Sequence, residues 1–356
     1  MRVITSAPGR ICLFGEHQDY FGFPVVASAI GLRGMIESET RSDRRVHLEL
    51  LDLEDSKEWD LDALPEPGPR DYWLSALHVA KKEGWLPPVG WNARVTSQIP
   101  QQAGASSSSA LTAAWCALIA LRHGRVVDNE AGREWIAHAT WRSEVQWFNE
   151  PGGMMDQVMC AMGGTREIQF NPNFQTRQLT NPSGVWTLID SQQPKDTLGI
   201  LSCAKKRRLE LIAQWGVEIG EEWPGVFPAR PQDWTAVEHR LMDATIRIRE
   251  VSSHGGGLLA SQPKAIEGIG KLLTEHHHWL SHGLEVSTSK IDELLEASLA
   301  AGALGGKING SGGGGTFFVL STAEAAQSVR TMLEMEDANV IPVELGAPGI
   351  EVKYIP

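Results

Sequence analysis

The sequence predicts an α+β protein of two domains, on three observations. Strand-like runs and turns fill the first hundred residues. A glycine- and serine-rich segment then opens a helix that is apolar nearly all round, and the second half interleaves helical stretches with short strands. With 356 residues, 42% of them hydrophobic, the chain exceeds the roughly 250–300 residues at which single cores stop growing. The domains are expected at 1–183 and 184–356.

Taken in order, Val25–Ile30 is a short apolar run after a turn at Gly22 and Pro24, and Val46, Leu48 and Leu50 alternate with His47 and Glu49 as in a half-buried strand. Asn92–Ile99 reads as a strand stopped by Pro100. The helix from about Ser107 to Leu121 has no polar face, so it is expected to be buried, with Gly124 as its C-cap. Met155, Val158, Met159 and Met162 repeat at helical spacing between Pro151-Gly152-Gly153 and Gly163-Gly164. Val185–Asp190 opens the second domain as a strand. Helices follow, then a strand at Thr316–Leu320, a helix at Ala323–Glu334, and strands near Val340–Glu344 and Ile350–Tyr354.

The net charge of −12 argues against nucleic acid or anionic membrane as a partner. An anionic ligand would need local positive potential from a metal, a helix N-terminus or a few placed cations. The first ten residues hold no apolar run long enough for a signal peptide, so none is expected there, and no run of 18 or more apolar residues predicts a membrane span. Four scattered cysteines without a CxxC pattern read as reduced thiols, so a cytoplasmic location is expected.

Three segments carry chemistry. In Ala7-Pro-Gly-Arg-Ile-Cys-Leu-Phe-Gly-Glu-His-Gln-Asp-Tyr20, Gly9 and Gly15 allow sharp turns around a short strand, after which Glu16, His17 and Asp19 crowd together. Such side chains suit a polyhydroxylated ligand, although Glu-His-Gln-Asp alone reads more readily as a solvated turn. In the second segment Gly104, Ala105, Ser106, Ser107, Ser108 and Ser109 precede the buried helix. Its amides form an anion cradle or simply a serine N-cap, and the residues leave these balanced. In Lys307-Ile-Asn-Gly-Ser-Gly-Gly-Gly-Gly-Thr316 the glycines permit positive φ and close approach of a ligand, though a glycine run alone is commonly a flexible loop.

In this order, the segments resemble the three motifs of the GHMP kinases, named for galactokinase, homoserine kinase, mevalonate kinase and phosphomevalonate kinase. The first looks like the galactokinase signature, with Gln18 where threonine is usual. The third looks more like mevalonate and heptose kinases. Pro151–Gln157, and Leu284-Glu-Val-Ser287 with Ile291-Asp292-Glu-Leu, also resemble galactokinases.

The resemblance implies a ribosomal-protein-S5-like N-terminal domain and a ferredoxin-like C-terminal domain, with the site between them. It implies ATP held by Gly104–Ser109 and by Gly312, Gly313 and Gly314, and Mg2+ on Ser108 and Glu144, which stands twelve positions before Asp156. Asp156 would act on the accepting hydroxyl with Arg10 beside it, and Glu16, His17, Asp19 and Gly153 would hold a sugar phosphorylated at its anomeric hydroxyl. Galactose or a related sugar is the first expectation. A uronic acid, arabinose, a heptose phosphate, a mevalonate-like acid or a non-catalytic sugar sensor are the alternatives, and the protein would be a monomer or homodimer. His276-His277-His278 is expected to be a solvated or capping cluster, and Lys205-Lys206-Arg207-Arg208 a solvated helix face, although galactokinases carry a similar basic run near the active site. Cys203 falls where galactokinases place a sugar-contacting tyrosine.

Overall fold

The computed structural model describes residues 2–101, 104–171, 173–193, 197–217 and 227–355, with only the backbone for 197–204. The first domain opens with β1 (Arg2–Phe14), β2 (Val25–Thr40), β3 (Arg45–Leu50) and β4 (Asp55–Asp60). It continues through α1 (Tyr72–Lys82), β5 (Trp91–Ser97), α2 (Ser107–His123), α3 (Glu130–Trp141), α4 (Met155–Met162), β6 (Thr165–Gln169) and β7 (Gln175–Leu179). Then come β8 (Val185–Asp190), α5 (Thr197–Trp215), α6 (Ala236–Ser261), α7 (Ile266–His278), α8 (Ser289–Ala300), β9 (Gly305–Ile308), β10 (Thr316–Ser321), α9 (Ala323–Met335), β11 (Asn339–Val343) and β12 (Glu351–Ile355).

Eight strands form one sheet in the order β12-β1-β2-β5-β3-β4, with β6 paired to β2 and β7 to β6. The second sheet is antiparallel, β11-β8-β10-β9. The change of sheet falls between β7 and β8, but β12 returns to pair with β1, so the last strand lies in the first sheet. Helix α2 is buried along nearly its whole length, because the sheet, α1, α3 and α4 pack around it. Its length follows from composition: eleven of its residues are buried, and Gly124 takes the left-handed C-cap (φ 99°) that a side chain would resist.

One expected turn is absent. β1 runs straight through Pro8-Gly9 with a shift of register against β2, and Gly9 has no positive φ. Gly9 is required for space instead, since a Cβ there would lie 2.7 Å from the Ala105 carbonyl oxygen. This close approach lays β1 against the serine-rich segment. Gly15 does make the turn, at φ 99°.

Candidate active site

A cavity of about 710 Å³ opens where β1, the turn after it, the N-terminus of α2, the start of α4 and the Gly310–Ser311 loop converge. Ser106, Ser107, Ser108 and Ser109 all line it. Ser106 occupies the N-cap of α2 with φ 62°, but its side chain makes no capping bond, and its buried Oγ has no hydrogen bond among the described residues. The serines therefore do not form the simple cap, and the helix N-terminus is presented to the cavity.

Asp156 sits in the first turn of α4. Arg10 Nε and Nη2 donate to its Oδ1 at 2.8 and 2.7 Å, and Nη1 donates to the Gly104 carbonyl. Burial opposes the Arg10 charge, but Asp156 and Glu16 outweigh it and hold the guanidinium above its ordinary pKa. Motifs one and two and α4 are thereby joined.

Glu144 lies on a π-helical turn, 142–146, that continues α3. Such turns aim a residue off the regular helical face. Its Oε2 accepts from Ser109 Oγ and Gln157 Nε2, each at 2.7 Å, while Oε1 is buried without a bond. The serine joined to Glu144 is thus Ser109, and the more exposed Ser108 lines the cavity alongside. Burial, partly offset by those hydrogen bonds, raises the Glu144 pKa to about 7.

Asp19 packs against Gly153 so closely that a Cβ there would lie 2.0 Å from its Oδ2. The Tyr20 amide donates to Oδ1 at 2.9 Å. Burial and the nearby Asp156 raise the Asp19 pKa to about 6, against a lowering hydrogen bond from the Met155 backbone. Glu16 reaches the cavity, but its Oε2 is paired at 2.8 Å with fully buried Lys307, which also donates to the Cys12 carbonyl.

His17 also lines the cavity, with its ring engaged by protein groups. Nε2 donates to the Ser311 carbonyl and Nδ1 accepts from Tyr20 Oη, both at 3.1 Å, so both ring nitrogens are committed within the protein. Gln18 turns away from the cavity and donates to the Pro24 carbonyl. The residues of motif three that line the cavity are Gly310 and Ser311, not Gly312, Gly313 and Gly314. Gly312 packs against Val286, where a Cβ would meet its carbonyl oxygen at 2.1 Å, and the Gly313 amide donates to that same oxygen at 2.8 Å.

Two expectations outside the motifs fail for reasons of burial. Arg208 is no solvated residue: it is fully buried, donating to the His17 carbonyl at 2.8 Å and to Tyr20 Oη. His276 is buried and stacks on Phe14, while His277 donates from Nε2 to Asp292 and accepts the Ile308 amide at Nδ1. The Cys203 side chain lies outside the described residues. Cys12, Cys116 and Cys160 are buried free thiols.

Sequence reasoning missed the apolar end of the cavity, formed by Leu50, Leu53, Trp73, Val95 and Leu111. Nothing in their local pattern distinguished them from ordinary strand and helix residues. It also missed Lys307 as a partner of Glu16, although a lysine flanked by Gly-Gly and Ile in a strand invites the question of what pairs with it.

The donor set fits Mg2+ and ATP. Glu144 Oε1, Ser106 Oγ and Ser311 Oγ are buried oxygens around one cavity with no hydrogen bond among the described residues. Among the described residues no group of three or more His, Cys, Asp or Glu is placed to hold a metal alone, which suits an ion that keeps waters and phosphate oxygens as ligands. No helix among the described residues is long and apolar enough to cross a membrane.

Three family models match in chain order: the galactokinase galactose-binding signature at 1–36, the GHMP kinase N-terminal domain at 71–164 and the GHMP kinase C-terminal domain at 258–336. The mevalonate kinase of Thermococcus gammatolerans is 26% identical, covering 100% of this chain and 99% of its own. The galactokinase of Bos taurus is 28% identical over 91% and 85% of the two chains. The fold is shared with Lactococcus lactis galactokinase complexed with galactose, at a TM-score of 0.83, 19% identity and coverage of 98% and 95%. It is shared also with Methanococcus jannaschii mevalonate kinase, at a TM-score of 0.74, 20% identity and coverage of 96% and 98%. The two-domain α+β architecture and the three matched models together place this chain in the GHMP kinase family, whose members use ATP as phosphate donor, and its N-terminus carries the galactokinase galactose-binding signature.

Proposed function

We propose that this chain transfers the γ-phosphoryl group of ATP to the anomeric hydroxyl of galactose or a related neutral sugar. The observation that carries the reading is the Asp19 carboxylate, wedged against Gly153 beside Asp156 at one end of the cavity. Two carboxylates and the second oxygen of Glu16 form an acceptor-rich surface suited to sugar hydroxyls and unfavourable to a substrate with its own carboxylate.

In the proposed reaction the acceptor hydroxyl gives its proton to Asp156 as its oxygen bonds to the γ-phosphorus, and the bond from that phosphorus to ADP breaks. Arg10 holds Asp156 and screens the charge that develops between them. The start of α2 cradles the phosphates, and the Leu50, Trp73 and Val95 end takes the base. Mg2+, when bound through Ser108 and Glu144, supplies neutralisation of phosphate charge.

The whole-length similarity to mevalonate kinases favours a second reading, a mevalonate-like acid as acceptor. Lys205, which donates to the Pro151 carbonyl at 3.0 Å near Asp19, is the cation such a substrate would have to recruit. ADP release measured with galactose, arabinose, galacturonate, a heptose phosphate and mevalonate separates the two. Turnover of neutral sugars alone is expected, and turnover confined to mevalonate would overturn the sugar reading. Binding of sugar and ATP without ADP release would indicate a sensor.

A further inference from the structure

Asn309 is fully buried between β9 and the glycine run, and none of the roles above uses it. Its Oδ1 accepts the Cys12 amide at 3.0 Å, and its Nδ2 donates to the Gly104 carbonyl at 3.0 Å. Those partners fix the orientation of its amide, because a backbone N–H only donates and a carbonyl only accepts. One side chain thus joins all three motifs. The Gly104 carbonyl is also the acceptor for Arg10 Nη1, and the Arg10 amide donates to the neighbouring Ala105 carbonyl at 3.1 Å. Arg10 spends its remaining donors Nε and Nη2 on Asp156.

We infer that Asn309 is a positioning residue for phosphoryl transfer: it fixes the Gly104–Ser106 turn against the phosphates and, through the shared carbonyl, the guanidinium that faces Asp156. The inference rests on the kinase reading. It explains the residue type. Leucine has the shape without donor or acceptor, and an ionised aspartate keeps the acceptor for Cys12 but has no proton for Gly104. The charged and titratable groups around this position are Arg10 and Cys12 of β1, Lys307 of β9 with its partner Glu16, His276 and His277 of α7, of which His277 accepts the Ile308 amide, His17 bonded to the Ser311 carbonyl, and Asp156 beyond Arg10.

Asn309→Leu and Asn309→Asp are compared with the parent by two readouts: affinity for the Mg2+ complex of a non-hydrolysable ATP analogue, and kcat and KM for the acceptor. Asn309→Leu is expected to lower kcat by roughly 10- to 100-fold through misplacement of Arg10 and to weaken the analogue several-fold, with acceptor KM little changed. Asn309→Asp should show the same losses at about pH 8. At about pH 5.5 its values relative to the parent should recover, because a protonated carboxyl accepts from Cys12 and donates to Gly104 as the amide does. Parent-like kcat and analogue affinity in both variants would overturn the inference. So would losses that vanish when scaled to the folded fraction from thermal melts. If the parent phosphorylates no sugar, the proposed substrate class fails separately, and the analogue affinities still decide for or against Asn309.

Discussion

Gly153→Ala tests the substrate end of the site with the smallest perturbation available. Gly153 does not have a positive φ, so alanine meets no backbone obstacle. The obstacle is Asp19: the new Cβ would lie 2.0 Å from Oδ2, 2.3 Å from Cγ and 2.9 Å from Oδ1. Ordinary contact begins near 3.4 Å, so the carboxylate must retreat by about 1.4 Å. That displacement strains its hydrogen bonds to the Tyr20 and Met155 backbone. A misplacement of about 1 Å at a reacting centre costs on the order of 10²-fold, so kcat/KM for the sugar should fall by about that factor, or about 2.7 kcal/mol. Steady-state kinetics with the preferred sugar measure it, and calorimetry with an ATP analogue should show unchanged nucleotide affinity. Asp19→Ala removes the obstructed group, so adding Gly153→Ala to it should cost little more. A Gly153→Ala enzyme within about threefold of the parent in kcat/KM, about 0.7 kcal/mol, would refute the claim that Asp19 positions substrate.

Asp156→Asn preserves shape and removes the proton acceptor; turnover should fall by roughly 10²–10⁴-fold while ATP and sugar affinities stay within a few-fold, and near-normal turnover would rule out an essential base. Glu144 has a pKa of about 7 in the folded protein, above the ordinary carboxyl value, so it is protonated below that pH and must lose the proton to serve a cation. Nucleotide–Mg2+ binding should therefore weaken as pH falls below about 7 and release a proton there, seen by calorimetry in buffers of different ionisation enthalpy and abolished by Glu144→Gln. The same raised pKa means that the folded state holds the extra proton, so this group's contribution to stability is present below the unfolded value and declines as pH rises through about 7. Lys307→Met leaves Glu16 buried without its partner and should destabilise by about 3–5 kcal/mol in denaturant titrations, with Glu16→Leu added in the same chain recovering most of the loss.

What was legible in the sequence was local. Helix α2 announced itself by an apolar run ended by Gly124, and α4 by methionines at helical spacing after two glycines. Asp156, Arg10 and the serine loop could be singled out because they lie in contiguous motifs, and the structure brings them to one cavity. What was not legible depends on residues distant in the chain. His17 looked like a free sugar ligand, and only the fold brings Ser311 and Tyr20 to its two nitrogens. Arg208 looked solvated because three basic residues precede it, yet the packing of α5 buries it against Tyr20, with Lys205 also over that ring. The glycine run was read as one phosphate-facing unit, but Val286 captures Gly312 and Gly313 and leaves Gly310 and Ser311 to the cavity. The apolar end draws on β3, β5, α1 and α2, so no single segment carries its pattern.

The charges lining the cavity bear on how an acidic chain would bind a polyanion. Arg10 and Arg70 face Glu16, Asp19, Asp52, Glu144, Glu150 and Asp156. Arg10 is committed to Asp156 and Arg70 to Glu150, and Lys307 cancels only Glu16. The N-terminus of α2 contributes the equivalent of roughly half a positive charge. Among the described residues these sources do not neutralise a triphosphate, so under the proposed function binding would draw on a divalent cation that arrives with the nucleotide. Burial first, with Asp156 adding to it, raises the pKa of Glu144 to about 7 and of Asp19 to about 6, which is what a site that disfavours further negative charge does to its carboxyls. On the proposed function, a site built so would repel free anions, nucleotides without metal among them, and would favour the metal complex by charge before any contact to the base is made.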